Sequence, residues 1–163
     1  MVDMKKSLVV ALLVLGGLVA TPSKAEADLT FFFGLHVSPH TQSVRGAAFG
    51  VNLIIVGFEF EYGLTREDTR VGEEAPGLQT GMANLMVMTP TSVQFYGTIG
   101  GGIFREDFGP SHVTNFATNF GGGVKIPLVG PLKVRVDYRV FALRGSPQVV
   151  RWQRLYAGIN WAF

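Results

Sequence analysis

The sequence RWQRLYAGINWAF, at residues 151–163, decides the fold. Read at the two-residue period of a β-strand, it has an apolar face and a face of polar and small residues. Arg154 and Tyr156 lie on the polar face, whereas Trp161 and Phe163 lie on the apolar face at the end of the chain. Aromatic rings in that position are typical of the interfacial girdle of a membrane barrel. We therefore predict a final strand that closes a barrel against the first strand.

Further stretches with a similar alternation precede this strand. The clearest are residues 56–65, where aromatic residues alternate with Glu59 and Glu61, and residues 132–143, where valines alternate with charged residues. Residues 77–88 alternate weakly, because methionines share a face with polar side chains. Together these stretches predict an all-β fold, an antiparallel up-and-down transmembrane β-barrel of about eight strands.

The predicted connections are of two kinds. Those after the second, fourth and sixth strands are short and nearly uncharged. Those after the third and fifth strands, residues 66–76 and 105–112, are longer and charged, and residues 39–44 form a polar loop. This asymmetry is typical of periplasmic turns and external loops, with both termini at the short-turn end.

The N-terminal residues predict a cleavable signal peptide. Lys5 and Lys6 precede an apolar run at residues 7–20, and Ala25 and Ala27 have the A-x-A spacing of a cleavage site. The run is shorter than the ~20 residues of a transmembrane helix. We predict a signal peptide at residues 1–27, cleaved after Ala25 or Ala27, and an outer-membrane barrel at residues 28–163.

Charge and cysteine content exclude several classes of function. Cleavage after Ala27 removes three of the 14 basic and two of the 12 acidic residues, which leaves 11 and 10. Because the mature chain is nearly neutral and has no basic cluster, we do not expect it to bind nucleic acid. The absence of cysteine excludes disulfides, thiolate nucleophiles and a lipid-modified N-terminal cysteine.

The two faces of the strands differ in what they can contact. One face carries large apolar residues, and the other carries charged residues among glycines. An eight-stranded barrel is just wide enough to be filled by side chains, so charges inside can pair while lipid meets apolar groups. The predicted interior polar network comprises Glu59, Glu61, Lys125, Lys133, Arg135, Asp137, Arg139 and Arg154. The inverse arrangement, with charges in water, would be a soluble lipocalin-like carrier in the periplasm.

The chain resembles the small outer-membrane β-barrel proteins of Gram-negative bacteria, the OmpA-like transmembrane barrel group. The resemblance is carried by the signal segment, by GGGVKIPLVGPLKVRVDYRVF at residues 121–141, and by the terminal LYAGINWAF. It implies localisation in the outer membrane, contact with its lipid, and recognition by the barrel-assembly machinery through the C-terminal strand. The sequence has no segment for a periplasmic peptidoglycan-binding domain, which is a departure from the full OmpA architecture.

Candidate catalytic residues are few. His36 and Ser38 share a strand face, and a His-x-Ser pair occurs in outer-membrane lipid A deacylase barrels. Nucleophilic catalysis also requires an acid to orient the histidine and donors for an oxyanion, and no further part of that motif is present. Glu59 and Glu61 are close enough in sequence for an acid and base couple, but facing arginines they are better interpreted as ion-pair partners. The glycines at residues 100–102 lack the lysine and helix of a phosphate loop.

Metal binding has two weak candidate clusters. One consists of His36, His40 and His112, which are all at or beside predicted loops. The other is the acidic loop with Glu67, Asp68, Glu73 and Glu74, for which a solvated surface is the simpler interpretation. We predict neither a metal nor another cofactor.

The sequence therefore predicts a non-enzymatic integral outer-membrane protein with a polar, side-chain-filled interior. Its role would be structural, or it would bind an unidentified ligand through its surface loops. The alternatives are a narrow pore for small solutes, the periplasmic carrier, and an enzyme acting on membrane lipid.

Overall fold

The computed structural model describes residues 25–38, 41–69 and 74–163 of the chain. These residues form eight antiparallel strands in one closed barrel. The strands are β1 Glu26–Ser38, β2 Gln42–Leu53, β3 Val56–Thr65, β4 Gly77–Met88, β5 Gln94–Phe108, β6 Ser111–Pro127, β7 Leu132–Leu143 and β8 Arg151–Ala162. Each strand pairs with the next, so the predicted antiparallel up-and-down barrel is confirmed. The described part of the chain contains no helix long and apolar enough to cross a membrane.

The last strand closes the barrel against the first, as the C-terminal sequence predicts. In the register between β1 and β8, Asp28 lies opposite Ala162 and Leu29 lies opposite Trp161. One residue further along, the Ala27 amide donates to the Phe163 carbonyl at 3.0 Å, and the Phe163 amide donates to the Ala27 carbonyl at 2.8 Å. The pairing of β1 with β8 therefore extends to the last residue of the chain.

The barrel has two ends, which we name for what lies there. The terminal end carries the start of β1, the end of β8 and the turns at residues 54–55, 89–93 and 128–131. The loop end carries the other four connections, among them residues 109–110 and 144–150. The start of β1 and the end of β8 thus lie at the same end as the three short turns that the sequence predicts after the second, fourth and sixth strands.

Two of the predicted loops are wrong in extent. Residues 105–112 are not a charged loop, because β5 continues to Phe108 and β6 begins at Ser111, with Asp107 opposite His112. Only Gly109, at φ +56°, and Pro110 turn the chain. The predicted polar loop at residues 39–44 is also too long, since β2 begins at Gln42. In both places the alternation continues through polar and charged residues, which are typical of loops as well as of strands outside the apolar part of the wall.

The outward face of the barrel is apolar. Tyr62, Trp161 and Phe163 expose 52%, 55% and 66% of their surface. Eight phenylalanines lie on this exposed face, at Phe31, Phe33, Phe49, Phe58, Phe60, Phe95, Phe116 and Phe120. This is the reverse of the lipocalin-like arrangement, which needs aromatic residues inside.

The inward face carries buried apolar clusters toward both ends of the barrel, in addition to charged side chains. At the loop end, one buried cluster comprises Leu78, Met82, Phe104, Ala117, Phe141, Leu143 and Trp152, with Val113 and Val149 packed against it. At the terminal end, Met86, Met88 and Tyr96 form another. The sequence predicts a polar interior, whereas the structure also contains large apolar side chains inside the barrel.

The predicted signal peptide lies almost entirely outside the described residues, which begin at Ala25. Of its two possible cleavage sites, the one after Ala27 would remove the first two residues of β1. Glu26 accepts a hydrogen bond from Lys133 Nζ at 3.1 Å, and Ala27 forms the two backbone hydrogen bonds with Phe163. We therefore propose cleavage after Ala25.

N-terminal sequencing of the mature protein tests this proposal. We expect the mature chain to begin at Glu26, because cleavage after Ala27 would leave Phe163 without its backbone partners at the closing seam. Recovery of a chain that begins at Asp28 would contradict the proposal.

Candidate functional site

The candidate site is a cluster of charged side chains in the middle of the barrel lumen. Strand alternation explains why they meet there, since residues two apart on one strand point to the same side of the sheet. Glu59 and Glu61 on β3 face Arg135, Asp137 and Arg139 on β7 across the lumen. All five side chains are fully buried.

Glu59 and Asp137 are the two acids at the centre of this cluster, and each contacts both Arg135 and Arg139. Glu59 accepts hydrogen bonds from Arg135 Nη1 and, at 2.8 Å, from Arg139 Nη2. Asp137 accepts from Arg135 Nη2 at 3.1 Å and from Arg139 Nε at 2.9 Å. Two acids and two guanidinium groups therefore alternate in a closed, charge-balanced square, in which every charge has two opposite neighbours.

Glu61 extends the cluster toward β8. Its carboxylate lies 3.1 Å from Arg139 Nη1 and accepts a hydrogen bond from Arg154 Nη2 at 2.5 Å. The Arg154 guanidinium also lies 4.7 to 5.1 Å from the ring centroids of Phe32, Phe141 and Tyr156. Cation–π contacts thus complete the surroundings of a guanidinium that has only one carboxylate partner.

Hydroxyl and amide groups surround the charged cluster. Tyr96 donates to Asp137 Oδ2 at 2.5 Å and accepts from Arg135 Nε at 2.8 Å. Asn84 donates to Glu59 Oε1 at 3.3 Å, and Asn119 donates to Asn84 at 2.8 Å. These neutral groups satisfy lone pairs and protons that ion pairing alone would leave unmatched in a buried site.

Two further ion pairs lie toward the terminal end. Lys125 Nζ donates to Asp28 Oδ2, which also accepts from Asn52 Nδ2 at 2.7 Å. Lys133 Nζ lies 3.1 Å from Glu26 Oε1, and this pair is partly exposed. The lysines are thus partnered by acids at the start of β1, next to the seam that closes the barrel.

The structure places all eight residues of the predicted interior network on the inner side of the barrel wall. The sequence interpretation missed Glu26 and Asp28, because they lie beside the predicted cleavage site rather than in a clear alternating stretch. In the closing strand, Tyr156 points inward and stacks on Phe32, with ring centroids 4.2 Å apart. Trp161 and Phe163 point outward, with their rings in edge contact at 6.5 Å.

The central cluster is charge-balanced and inaccessible. Four buried acids are ion-paired, Asp28, Glu59, Glu61 and Asp137, and the buried bases bound to them are Lys125, Arg135, Arg139 and Arg154. A fifth buried acid, Glu106, accepts a hydrogen bond from the Gln148 amide instead. Within the described residues, four acids therefore meet four bases. Side chains with essentially no solvent-accessible surface cannot line a water-filled path, so the lumen is closed at this level.

The candidate catalytic and metal-binding residues are not brought together. His36 is buried with its ring 4.8 Å from that of Trp152, and its Nδ1 has no partner among the described residues, so no acid orients it there. His112 lies exposed near the tip of the β5–β6 hairpin, and His40 lies outside the described residues. In residues 25–38, 41–69 and 74–163, no group of three His, Cys, Asp or Glu side chains could hold a metal ion.

The acidic loop serves local structure in the part that is described. Glu67 accepts a hydrogen bond from the Gly109 amide at 2.5 Å, and Asp68 exchanges backbone hydrogen bonds with Ala75 at 2.9 Å. Glu74 is exposed, and Glu73 lies outside the described residues. The contact between Glu67 and Gly109 joins the loop after β3 to the tip of the β5–β6 hairpin.

No family model and no curated protein sequence matches this chain. Solved structures match its fold. Neisserial surface protein A is 17% identical with a TM-score of 0.64, over 85% of this chain and 96% of that one. The N-terminal β-barrel domain of Pseudomonas aeruginosa OprF is 13% identical with a TM-score of 0.59, over 86% and 99%. A major outer membrane protein from Thermus thermophilus is 10% identical with a TM-score of 0.61, over 85% and 99%.

At these identities the likeness concerns the fold. The chain has the fold of the small outer-membrane β-barrels, which confirms the resemblance seen in the sequence. This fold and the apolar outer face are those of an outer-membrane protein, in agreement with the predicted localisation.

Replacing Glu59 tests the energetic importance of the charged cluster. Glu59→Gln removes one charge from between two buried guanidinium groups, so we expect the free energy of unfolding to fall by about 3 kcal/mol. The measurement is urea unfolding of the barrel in lipid vesicles. Glu74→Gln is the matched control, because Glu74 is exposed in a loop, and it should change stability by less than ~0.5 kcal/mol.

The double variant Glu59→Gln with Arg135→Gln separates pairing from packing. Because it removes one charge of each sign, we expect it to be less destabilised than the sum of the two single variants. Equal effects of Glu59→Gln and Glu74→Gln would show that the cluster does not stabilise the barrel.

Proposed function

We propose that this protein is a non-enzymatic, non-conducting integral protein of the outer membrane with a structural or surface-binding role at its loop end. The observation that carries the proposal is the division of the barrel wall, with aromatic and aliphatic residues outside and a closed, charge-balanced network inside.

The outward face supports insertion in lipid. Soluble proteins rarely expose contiguous apolar patches larger than a few hundred Å². Here large apolar side chains cover every strand of the described barrel on its outer side, from Leu53 near one end to Val37 near the other. Trp161 and Phe163 lie at the terminal end, where amphipathic rings favour the boundary between lipid and water.

The filled lumen supports the proposal that the barrel is closed and is not a pore. A narrow pore requires water along its whole length, yet Arg135, Asp137 and Arg139 have no accessible surface. Phe104, Phe141 and Trp152 fill the lumen at the loop end of this layer. The glycines of the inner wall leave room in the lumen. The long side chains of the arginines and the aromatic residues occupy this room, so it does not form a path for water.

The loop end supports a role at the surface. In the described part of this end, Glu67 accepts a hydrogen bond from the Gly109 amide at 2.5 Å and Glu106 accepts one from the Gln148 amide at 2.6 Å. These two hydrogen bonds join connections to neighbouring parts of the barrel. A ligand could therefore meet a preorganised surface above a rigid barrel. No enzymatic role is proposed, because His36 and Ser38 lack an orienting acid among the described residues.

The C-terminal strand supports recognition by the barrel-assembly machinery as part of this proposal. Trp161 and Phe163 are exposed on the lipid side, with their rings in edge contact. Before the barrel closes, β8 would also present unpaired backbone groups that later bind β1.

Membrane insertion can be tested by fractionation and electrophoresis. We expect recovery in the outer-membrane fraction, with a difference in mobility between boiled and unboiled samples, because a closed barrel resists detergent until heated. Recovery in the soluble periplasm would overturn the proposal and favour the lipocalin-like carrier.

Closure of the lumen can be tested in planar lipid bilayers. Inserted wild-type protein should show no single-channel conductance steps, because the buried layer of ion pairs leaves no continuous water path. A variant with Arg135→Ala and Arg139→Ala removes the two largest side chains of that layer, and any conductance it gains identifies the layer as the barrier. Steady conductance by the wild-type barrel would instead support the narrow-pore alternative.

A further inference from the structure

A groove on the outer wall of the barrel is not explained by the proposed function. It has a volume of about 530 Å³, within the ~300–1,000 Å³ range of small-molecule sites, and its surface is almost wholly apolar. It crosses β2, β3, β4 and β5 on the side that faces away from the lumen, and Leu29 of β1 lies at its edge. Because it lies in the lipid-facing wall, this groove is open to the membrane interior rather than to water.

Strand register shows how the groove is formed. One outward row across the four strands consists of Ala47, Tyr62, Gly81 and Ile103, and the next row toward the terminal end consists of Phe49, Phe60, Ala83 and Gly101. On β4 both outward positions are small, while aromatic rings on β3 stand beside them. The groove is therefore a depression along β4, with Tyr62 and Phe60 as one of its walls.

The row immediately toward the loop end carries charge. It consists of Arg45, Leu64, Gln79 and Arg105, again in direct register across β2 to β5. Both arginines are exposed, and Arg45 has no ion-pair partner among the described residues. Arg105 Nε is bound to Asp107 at 2.9 Å, and Gln79 accepts a hydrogen bond from the Tyr62 hydroxyl at 3.2 Å. The two arginines and Asp107 leave a net charge of +1 above the apolar groove.

An unpaired arginine on the outer wall of a membrane barrel needs an explanation. Outward cationic side chains are costly within the apolar layer unless they reach an anionic group at its boundary. The guanidinium fork matches a phosphate in shape and charge, and a membrane lipid combines a phosphate with an acyl chain that fits an apolar groove. Arg45 and the groove are adjacent rows of one wall, so a single lipid can contact both.

We propose that the outer wall of β2 to β5 is a binding site for a membrane lipid whose headgroup carries an anionic phosphate. The phosphate lies between Arg45 and Arg105, and one acyl chain lies in the groove along Gly81 and Ala83. This inference rests on the proposed insertion of the barrel in a membrane, and it adds a lipid class and a location to it.

Native mass spectrometry of the full barrel in neutral detergent tests the site. The probes are phosphatidylglycerol, which has an uncompensated phosphate, and phosphatidylcholine with the same acyl chains, in which choline neutralises it. We expect the wild-type barrel to retain phosphatidylglycerol in preference. Arg45→Gln should weaken that binding about tenfold through loss of a charged hydrogen bond, and should remove the preference. Ala83→Leu fills the groove. It should weaken binding about fourfold, which corresponds to the loss of one buried methylene group of the lipid chain from the groove.

Matched controls lie on the opposite part of the wall. Arg151 and Ala157 are an exposed arginine and an exposed alanine on β8, outside the groove. Arg151→Gln and Ala157→Leu should leave lipid retention unchanged. Equal retention of the two lipids by the wild-type barrel, or equal losses in the control variants, would overturn the site.

The difference in electrophoretic mobility between boiled and unboiled samples distinguishes failure of the lipid site from failure of the proposed function. A chain that shows no shift and stays soluble overturns both inferences. A barrel that shifts, but does not discriminate between the two lipids, overturns only the lipid site. Arg45→Gln keeps the test decisive if Ala83→Leu does not fold.

Discussion

The structure depends on one constraint, that backbone amide and carbonyl groups within lipid must find partners inside the protein. A sheet satisfies it only by closing on itself, and here closure extends to the backbone hydrogen bonds between Ala27 and Phe163. The even strand number follows. In a sheet that closes in chain order with every pair antiparallel, the last strand must run opposite to the first, which only an even number of strands allows. The lipid environment then requires, in addition, an apolar outer face and short turns.

Closure also determines what the interior must contain. Eight strands enclose a space that side chains can fill, and a space sealed from both ends requires every charge in it to be matched. The square formed by Glu59, Arg135, Asp137 and Arg139 meets this requirement in a single layer. Phe104 and Trp152 on one side and Met86 on the other then keep water from the layer. Apolar packing and ion pairing are thus complementary parts of one plug.

Most of the fold could be predicted from the sequence, because alternation at period two depends only on neighbouring residues. The bounds of β3 and β7 and the inward direction of Glu59 and Arg135 follow from it directly. The partners could not be predicted, since which acid meets which arginine depends on register across the lumen. The predicted loop at residues 105–112 is wrong because its charged residues belong to strands. Charge is typical of loops, but a strand that extends beyond the membrane can be charged as well.

The glycine run at residues 100–102 shows how one short segment serves both sides of the wall. Gly100 and Gly102 point inward, where a Cβ would lie 2.1 Å from Asn84 Oδ1 and 2.0 Å from the Gly81 carbonyl, respectively. Side chains there would displace the amide that supports Glu59, or separate β5 from β4. Gly101 points outward and forms part of the floor of the groove, opposite Ala83. Because Gly100 and Gly102 have no side chains, the lumen can pack tightly. Because Gly101 has none, the outer wall is open to lipid at this position. The sequence alone contains three consecutive glycines. Which requirement each glycine meets depends on the face of the strand that it occupies.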